Sequence, residues 1–346
     1  MGYSSGRQTG DNLPETGPDM KQRHLFIIDP LEELNLKLDS SLRMAKALAA
    51  RGHRIFFTTL LDLSWRSGRA GAWARCVEAE FAGGDVAPRL ERKTPHSLLD
   101  FEAIHMRKDP PFDLTYIEAT WLLDSAAGRV HIYNQPSALR TWNEKVSILR
   151  FPDDIRPALV SSDSLEIIEF IEKECDGDGI VKPLALFGGR GVERVRPGRD
   201  ALSRKDAIGA INIMTRDGRE KRIIQPFDSR IFDGEVRAFC IGGEPITWCL
   251  KKPAKGEFLA NTRTGATLEP YKPGLDELAR VKNVAARLAL EGAPVIGLDL
   301  IGGWISEINL TSPRLLLPEG HFAEEKAAYK LFAQWIEKDV DRPLKS

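Results

Sequence analysis

The sequence predicts an open α/β unit followed by a longer α+β region, and three observations carry that reading. The apolar run His24–Asp29, the amphipathic stretch after Asp39-Ser40-Ser41 and a second apolar run at Arg54–Thr58 give the order β-α-β of a parallel sheet. Further along, Gly234–Ile241 and Glu244–Leu250 flank Gly242-Gly243, the pattern of an antiparallel hairpin. At 346 residues the chain is too long for one small core, so two or three packed units are expected.

The elements follow in chain order. Residues 1–22 are rich in Gly, Ser, Asp and Pro and lack the apolar core of a signal peptide, so they read as a disordered tail. Residues 23–141 form the α/β unit. Its first helix is capped by Asp39 or Ser40, carries Leu42, Ala45, Leu48 and Ala49 on one side, and closes at Gly52. The segment from Trp65 to Leu99 reads as irregular. Phe101–Met106 is a strand, Thr115–Ser125 a helix and Val130–Asn134 a strand. Residues 142–228 make a second unit. It has strands at Arg156–Val160, Gly179–Pro183 and Arg222–Phe227, a helix over Ser164–Cys175 capped by Ser162 or Ser164, a glycine-rich loop over Leu184–Val192 and a helix over Asp206–Thr215. Residues 229–340 hold the Gly242-Gly243 hairpin and a long helix, Pro273–Leu290, striped with Leu275, Leu278, Val281, Val284, Ala285 and Leu288. A second hairpin turns at Gly302-Gly303, and a helix spans Glu324–Glu337.

Composition excludes several classes. A formal charge of −1 gives no basic field for nucleic acid, and no apolar run approaches the ~20 residues that span a bilayer. The four cysteines, Cys76, Cys175, Cys240 and Cys249, form no CxxC pair, which argues for a reducing, cytoplasmic setting and against a zinc site. The six histidines show no clustering in sequence, and no Ser-His-Asp or Cys-His arrangement stands out.

The chemistry-bearing pattern lies at the C-terminal hairpin. Glu307 and Asn309 are two apart on a strand and share a face, and Asp299 reaches that face from the preceding strand. Two carboxylates and a carboxamide suit Mg²⁺, with Mn²⁺ also compatible; a solvated hairpin is the plainer alternative. Lys182 precedes Gly188-Gly189-Arg190-Gly191, a turn that can present backbone N–H groups to an anion, although it lacks the Gly-Lys-Ser/Thr of a Walker A loop. Gln225-Pro226-Phe227 ends a strand. Arg237 sits in an apolar strand and needs an anionic partner: a phosphate, Glu235 or Asp299. The charged turn Arg107–Asp113 follows a strand, where ligand crevices form in parallel sheets.

The order Lys145, Lys182 with its glycine loop, Gln225-Pro226-Phe227, Arg237, then Asp299/Glu307/Asn309 resembles the ATP-grasp superfamily. Within it, Asp29-Pro30…Lys37…Asp39-Ser40-Ser41, Met106–Asp113, Asn134–Arg140 with Asn143-Glu144-Lys145, and Glu307–Pro313 resemble the bacterial glutathione synthetases, from about Leu25 to Pro313. The resemblance implies an N-terminal substrate-binding domain followed by a two-subdomain ATP-grasp fold that binds ATP and Mg²⁺. It also implies small-molecule substrates, a homo-oligomer, and no nucleic-acid or membrane partner. Carried over residue by residue, Lys145, Lys182, Phe187, Gly188, Gly189, Arg190 and Gly191 would hold the phosphates, and Gln225, Pro226 and Phe227 the adenine. Asp299, Glu307 and Asn309 would hold the metal. Asp29, Lys37, Ser40, Arg107, Asn261, Arg263, Thr311 and Ser312 would lie by the substrate, and Arg237, Lys252 and Asn309 would be catalytic. The implied reaction joins a carboxylate to an amine through an acyl phosphate, as in joining γ-glutamylcysteine to glycine. A different acceptor or γ-glutamyl donor, or an inactive ATP-binding regulator, are the alternatives. The chain departs from the family pattern in three places: Lys251-Lys252 stands for an arginine, Phe258-Leu259-Ala260 displaces a loop arginine, and Arg314-Leu-Leu-Leu-Pro318 replaces a polar, acidic segment. All three are expected on the substrate side.

Overall fold

The computed structural model describes residues 21–36, 39–66, 71–81, 88–186, 188–199, 203–262 and 265–344. Lys37, Phe187, Arg263 and the first twenty residues of the tail lie outside the described residues.

The first region runs β1 (Arg23–Ile27), α1 (Ser40–Ala49), β2 (Arg54–Thr58), β3 (Leu63–Trp65), β4 (Ala72–Glu80), β5 (Arg89–Leu90), β6 (Thr94–Ser97), β7 (Ala103–Met106), α2 (Leu114–Leu123), β8 (His131–Tyr133) and α3 (Pro136–Thr141). The sheet order is β3-β4-β2-β1-β7-β8, with β5 and β6 on β4. β1 is parallel to both β2 and β7, as its buried apolar run demands. Asp39 is the cap of α1, accepting from the Leu42 N–H at 2.9 Å. The stretch expected to be irregular instead holds β4, nine residues long, antiparallel to β2. Its buried positions Ala72, Ala74 and Cys76 are small and its outer ones include Arg75, Glu78 and Glu80, so Trp73 and Val77 are its only residues of strong strand preference.

The second region runs β9 (Leu159–Ser161), α4 (Ser164–Glu174), β10 (Gly179–Pro183), β11 (Glu193–Val195), α5 (Arg204–Met214) and β12 (Arg222–Pro226). The strands form an antiparallel sheet, β11-β10-β12-β9, covered by Ile167, Ile168 and Ile171 of α4 and Ala207 and Ile211 of α5. The cap of α4 is neither serine: the Asp163 carboxylate accepts from Leu165 N at 2.8 Å and Glu166 N at 3.1 Å.

The third region runs β13 (Glu235–Ile241), β14 (Glu244–Lys252), β15 (Thr267–Pro270), α6 (Leu275–Leu290), β16 (Val295–Ile301), β17 (Trp304–Asn309) and α7 (Phe322–Val340). The antiparallel order is β15-β14-β13-β16-β17. α6 lays Val281, Val284, Ala285 and Leu288 on the sheet, whereas Leu275, at its first position, is 86% exposed rather than part of the stripe. The β13–β14 turn needs glycine: Gly242 has φ +62°, and a Cβ there would stand 2.1 Å from Trp335 Nε1.

The regions share cores. α7 returns to the first region, packing Phe332 and Ile336 with Phe26, Leu42 and Leu48. Asn134 ties that region to the last sheet: its Nδ2 donates to Val295 O at 2.8 Å and Leu310 O at 2.7 Å, and its Oδ1 accepts from Val295 N at 2.9 Å. The histidines that look scattered in sequence do meet here. His24 Nδ1 lies 3.1 Å from His105 Nε2, and the His24 and His53 rings are 5.1 Å apart. Burial pushes His24 down to about 3 and His105 well below its usual value.

Candidate active site

A cavity of about 280 Å³ opens between the second and third regions, and the five-stranded sheet is its floor. Pairing puts Glu235 opposite Lys251, Arg237 opposite both Cys249 and Asp299, and Asp299 opposite Glu307. Residues directly opposite share a face, so Glu235, Arg237, Lys251, Asp299, Glu307 and then Asn309 all project into the cavity. Arg237 grips Asp299 with two parallel bonds, Nε to Oδ1 and Nη2 to Oδ2, both 2.8 Å. Lys251 Nζ is 2.8 Å from Asp299 Oδ1 and also pairs with Glu235. Asn309 Nδ2 donates to Asp299 Oδ2 at 3.0 Å. Gly297 is required beneath this cluster, because a Cβ there would meet the locked Arg237 guanidinium at 2.7 Å.

Lys252, expected as catalytic, is one residue out of step. Strand alternation turns it to the other face, where it pairs with Glu269 at 2.8 Å outside the cavity; the cavity lysine is Lys251.

The lysines come from the opposite side. Lys145 Nζ donates to Leu186 O at 2.5 Å and stands 3.3 Å from Glu307 Oε1. Lys182 Nζ donates to Gln225 Oε1 at 2.7 Å. Gly188, Gly189 and Gly191 all have positive φ; the first two, with Arg190, line the cavity, whereas Gly191 sits back against Pro183. Pro226 and Phe227 line the same end, and the Arg194 guanidinium lies 3.5 Å from the centre of the Phe227 ring.

Burial and charge set the protonation states. Burial alone would raise the Asp299 carboxyl, but Arg237 and Lys251 outweigh it and hold it well below the usual carboxylate range. Burial lowers Lys182. For Lys251 the Asp299 and Glu235 charges overcome burial and keep it up. Lys145, Lys182, Arg237 and Lys251 stand among Glu144, Glu235, Asp299 and Glu307, and Arg156, Arg190, Arg314, Asp109 and Asp228 also line the cavity.

Two of these carboxylates were missed by sequence reasoning. Glu144 Oε1 accepts from Leu310 N (3.1 Å), Thr311 N (3.1 Å) and Thr311 Oγ1 (2.7 Å), which fixes the chain leaving β17. Burial raises its pKa, with the Glu307 charge adding to the effect. Its signal was adjacency to Lys145 in Asn143-Glu144-Lys145. Glu235 had been weighed only as a partner for Arg237.

The expected substrate residues divide into two groups. Thr311, Ser312 and Asn261 line the cavity, whereas Asp29, Ser40 and Arg107 are not part of its lining. Arg107 is buried, donating from Nε to Ser41 Oγ at 3.1 Å and from Nη2 to Pro313 O at 2.8 Å, while its carbonyl accepts from Ser312 Oγ at 3.1 Å. Asp29 accepts from Asp109 N at 2.9 Å and pairs with Lys108 at 2.7 Å; Ser40 Oγ donates to Leu315 O at 3.3 Å. These residues brace the loops that form the wall. The β14–β15 loop also differs from expectation. Asn261 Nδ2 donates to Gly188 O at 2.6 Å, and the Phe258 ring lies edge-on to Phe227 with centroids 6.1 Å apart. Phe258 therefore reaches the Gln225–Phe227 end, not the Thr311–Ser312 end.

Among the described residues no group of three His, Cys, Asp or Glu side chains converges as a closed metal centre. The donor set is of the open kind. The four acceptor positions of Asp299 are taken by Arg237 (twice), Lys251 and Asn309, while Asn309 keeps its carboxamide oxygen and Glu307 its partly exposed carboxylate at the cavity. Hard oxygens from one or two carboxylates fit Mg²⁺, which retains water and phosphate ligands.

Comparison with known proteins agrees with this geometry. Residues 22–140 match the N-terminal domain of prokaryotic glutathione synthetase, and residues 144–317 match its ATP-grasp domain. The glutathione synthetase of Parasynechococcus marenigrum is 36% identical over 296 residues, covering 84% of this chain and 91% of that protein. That of Vibrio cholerae is 35% identical over 309 residues, covering 88% and 92%. Among solved structures, a D-cycloserine synthetase superposes with a TM-score of 0.63 at 15% identity over 92% of this chain and 100% of that one. The ATP complex of D-alanine–D-alanine ligase from Bacillus anthracis gives 0.55 at 13%, over 92% and 97%; both show the shared fold. Among the described residues no helix is long and apolar enough to cross a membrane. The chain belongs to the prokaryotic glutathione synthetase family and is an ATP-dependent C–N ligase of the ATP-grasp fold.

Proposed function

We propose that this ligase joins the cysteinyl carboxylate of γ-glutamylcysteine to the amine of glycine, converting ATP to ADP and phosphate. In this reading residues 23–141 bind substrate, 142–228 carry the lid and 229–340 carry the metal-binding sheet. The carrying observation is that Asp299, Glu307 and Asn309 share one strand face with Arg237 and Lys251, opposite Lys145 and Lys182.

A carboxylate is a poor acyl donor because it must expel oxide. Its oxygen attacks the γ-phosphorus of ATP and ADP leaves, giving an acyl phosphate. The amine nitrogen then attacks the acyl carbon, phosphate leaves, and the nitrogen loses a proton. Lys145, Lys182 and the Gly188–Arg190 turn hold the phosphates. Arg237 and Lys251 stabilise charge that builds on the transferred phosphoryl group. Gln225, Pro226 and Phe227 seat the adenine, with Phe258 excluding water from that end. Mg²⁺, or Mn²⁺ in its place, would be held by Glu307, Asn309 and Asp299 and would neutralise phosphate charge, Asp299 doing so by giving up one of its four donors. The homo-oligomeric state belongs to the same reading.

The test is product formation. Purified protein with ATP, Mg²⁺, γ-glutamylcysteine and glycine should release ADP and form glutathione in equal amounts. ADP release with no glutathione, or none with this pair but some with another, contradicts the assignment.

A further inference from the structure

β17 is the edge strand of the cavity floor, and the chain at Asn143-Glu144-Lys145 borders its open side, where Glu144 O accepts from Ile308 N at 3.1 Å. Asn143 Oδ1 fixes the turn there, accepting from Lys145 N at 2.9 Å and Val146 N at 3.0 Å. Lys145 and Glu144 then reach β17 at successive points. Lys145 Nζ stands 3.3 Å from Glu307 Oε1, while Glu144 holds Leu310 and Thr311, the two residues that follow Asn309. Glu144 is therefore pinned by backbone and side chain beside the residues assigned to the metal.

The bonds to the Glu144 side chain are one-sided. Leu310 N, Thr311 N and Thr311 Oγ1 all donate to Oε1, and among the described residues Oε2 has no donor. Glu144 is half-buried and lines the cavity. The other lining carboxylates are engaged. Asp228 pairs with Arg156 and Arg230, Glu235 with Lys251, Asp299 with Arg237 and Lys251, and Glu307 with Lys145. Asp109, on the N-terminal wall, has contacts of its own. Burial and the like charge of Glu307 make a carboxylate without a cation costly at Glu144, so a cation entering the cavity is stabilised there.

We propose that Glu144 Oε2 binds the ammonium group of the amine acceptor and so positions its nitrogen for attack. This rests on the ligase reading above. Two ammonium groups enter the site, one on the acceptor and one on the glutamyl end of the donor. The donor's ammonium lies seven bonds from the acyl carbon, whereas the acceptor nitrogen must reach that carbon itself. Arg237, Lys251, Glu307 and Asn309 mark where the phosphoryl group is transferred, and the brace on Leu310 and Thr311 holds Glu144 next to them. The acceptor is the substrate whose charge falls there. A hydrogen bond from ammonium to carboxylate is of the strong, charge-assisted kind, and Oε1 is already committed, so the nitrogen has one place to bind.

The experiment compares glycine with hydroxylamine, an uncharged nucleophile that traps the acyl phosphate as a hydroxamate, at saturating ATP, Mg²⁺ and γ-glutamylcysteine. Glu144→Gln keeps an oxygen for Leu310 and Thr311 and removes the charge. It should raise the KM for glycine about 10- to 100-fold and lower the ratio of glycine to hydroxylamine turnover by a similar factor. Glu144→Asp, which keeps the charge, should recover part of that ratio. Equal losses with glycine and hydroxylamine, a raised Mg²⁺ requirement in place of a raised glycine KM, or an unchanged glycine KM overturns the proposal. Should Glu144→Gln fail to fold, the parent still decides. Glycolate, which has a hydroxyl where glycine has its ammonium, should bind at least about 10-fold more weakly than glycine, and equal binding overturns the proposal. A parent that forms hydroxamate but does not use glycine overturns the glutathione reading instead, and the ratio is then read with the amine it does use.

Discussion

The floor and the wall of the cavity are built by different means. On the floor, Arg237, Lys251, Asp299, Glu307 and Asn309 are delivered by strand register, and each touches both its neighbours and the cavity. On the wall, Asp109, Thr311, Ser312 and Arg314 are delivered by loops, and the residues holding those loops, Asp29, Ser40 and Arg107, are not part of the lining. A strand fixes a side chain's direction by alternation alone. A loop needs separate braces, and those braces resemble substrate ligands when only sequence is seen.

The largest effect should follow from breaking the floor. Asp299→Ala leaves Arg237 and Lys251 buried without their shared anion, a cost of about 3–5 kcal/mol to be read by denaturant unfolding. Asp299→Asn keeps the shape and should lower kcat by about 10²–10³-fold, measured by ADP release. A kcat near that of the parent would remove Asp299 from the chemistry.

Arg107→Ala tests the wall. It removes the donors to Ser41 and Pro313 and should destabilise by about 3 kcal/mol while raising the KM for the peptide substrate more than that for ATP. A rise confined to ATP would contradict its role as a brace of the substrate loop.

Acid stability separates both regions from the N-terminal core. His24 and His105 are buried and held neutral, so the unfolded chain binds more protons below its histidine pKa of about 6.5. Stability from each is complete above pH 6.5 and lost as pH falls toward the folded value, which is about 3 for His24. For His24 the loss at pH 5 is about 2 kcal/mol, and His105 adds to it in the same direction. Asp299 is depressed as well, and its contribution is complete above the ordinary Asp value of 3.8 and is lost only as pH falls from there toward its folded value, below the histidine window. Between pH 6.5 and 5 the histidines lower stability as pH falls, against the opposite contribution of the raised Glu144 and Glu235 carboxyls, and His24→Gln should flatten the histidine part of that slope; an unchanged slope would contradict the assignment.

The smallest effect sharpens the register argument. Lys252→Ala removes an exposed pair with Glu269, worth less than about 1 kcal/mol, and should leave kcat unchanged, whereas Lys251→Ala should impair it.

Legibility in the sequence follows the same division. Asp299, Glu307 and Asn309 were readable because a spacing of two on a strand fixes a shared face. The parallel β1 and β2 were readable from uninterrupted apolar runs. β4 was not, because Ala, Cys and charged residues carry little strand signal. Lys251 and Lys252 were confused because adjacent lysines differ only in register, which depends on where Glu235 finds its partner. Adjacency to Lys145 was the one local signal for Glu144, but its bonds to Leu310 and Thr311, like the gathering of His24, His53 and His105, join residues far apart in the chain.

The most direct test of the central claim is calorimetric titration of a non-hydrolysable ATP analogue, with and without Mg²⁺, into the parent and into Glu307→Gln. The account predicts tight, Mg²⁺-dependent binding by the parent and weaker binding with a diminished metal requirement in the variant. Equal affinity and equal metal dependence in the two proteins would contradict it.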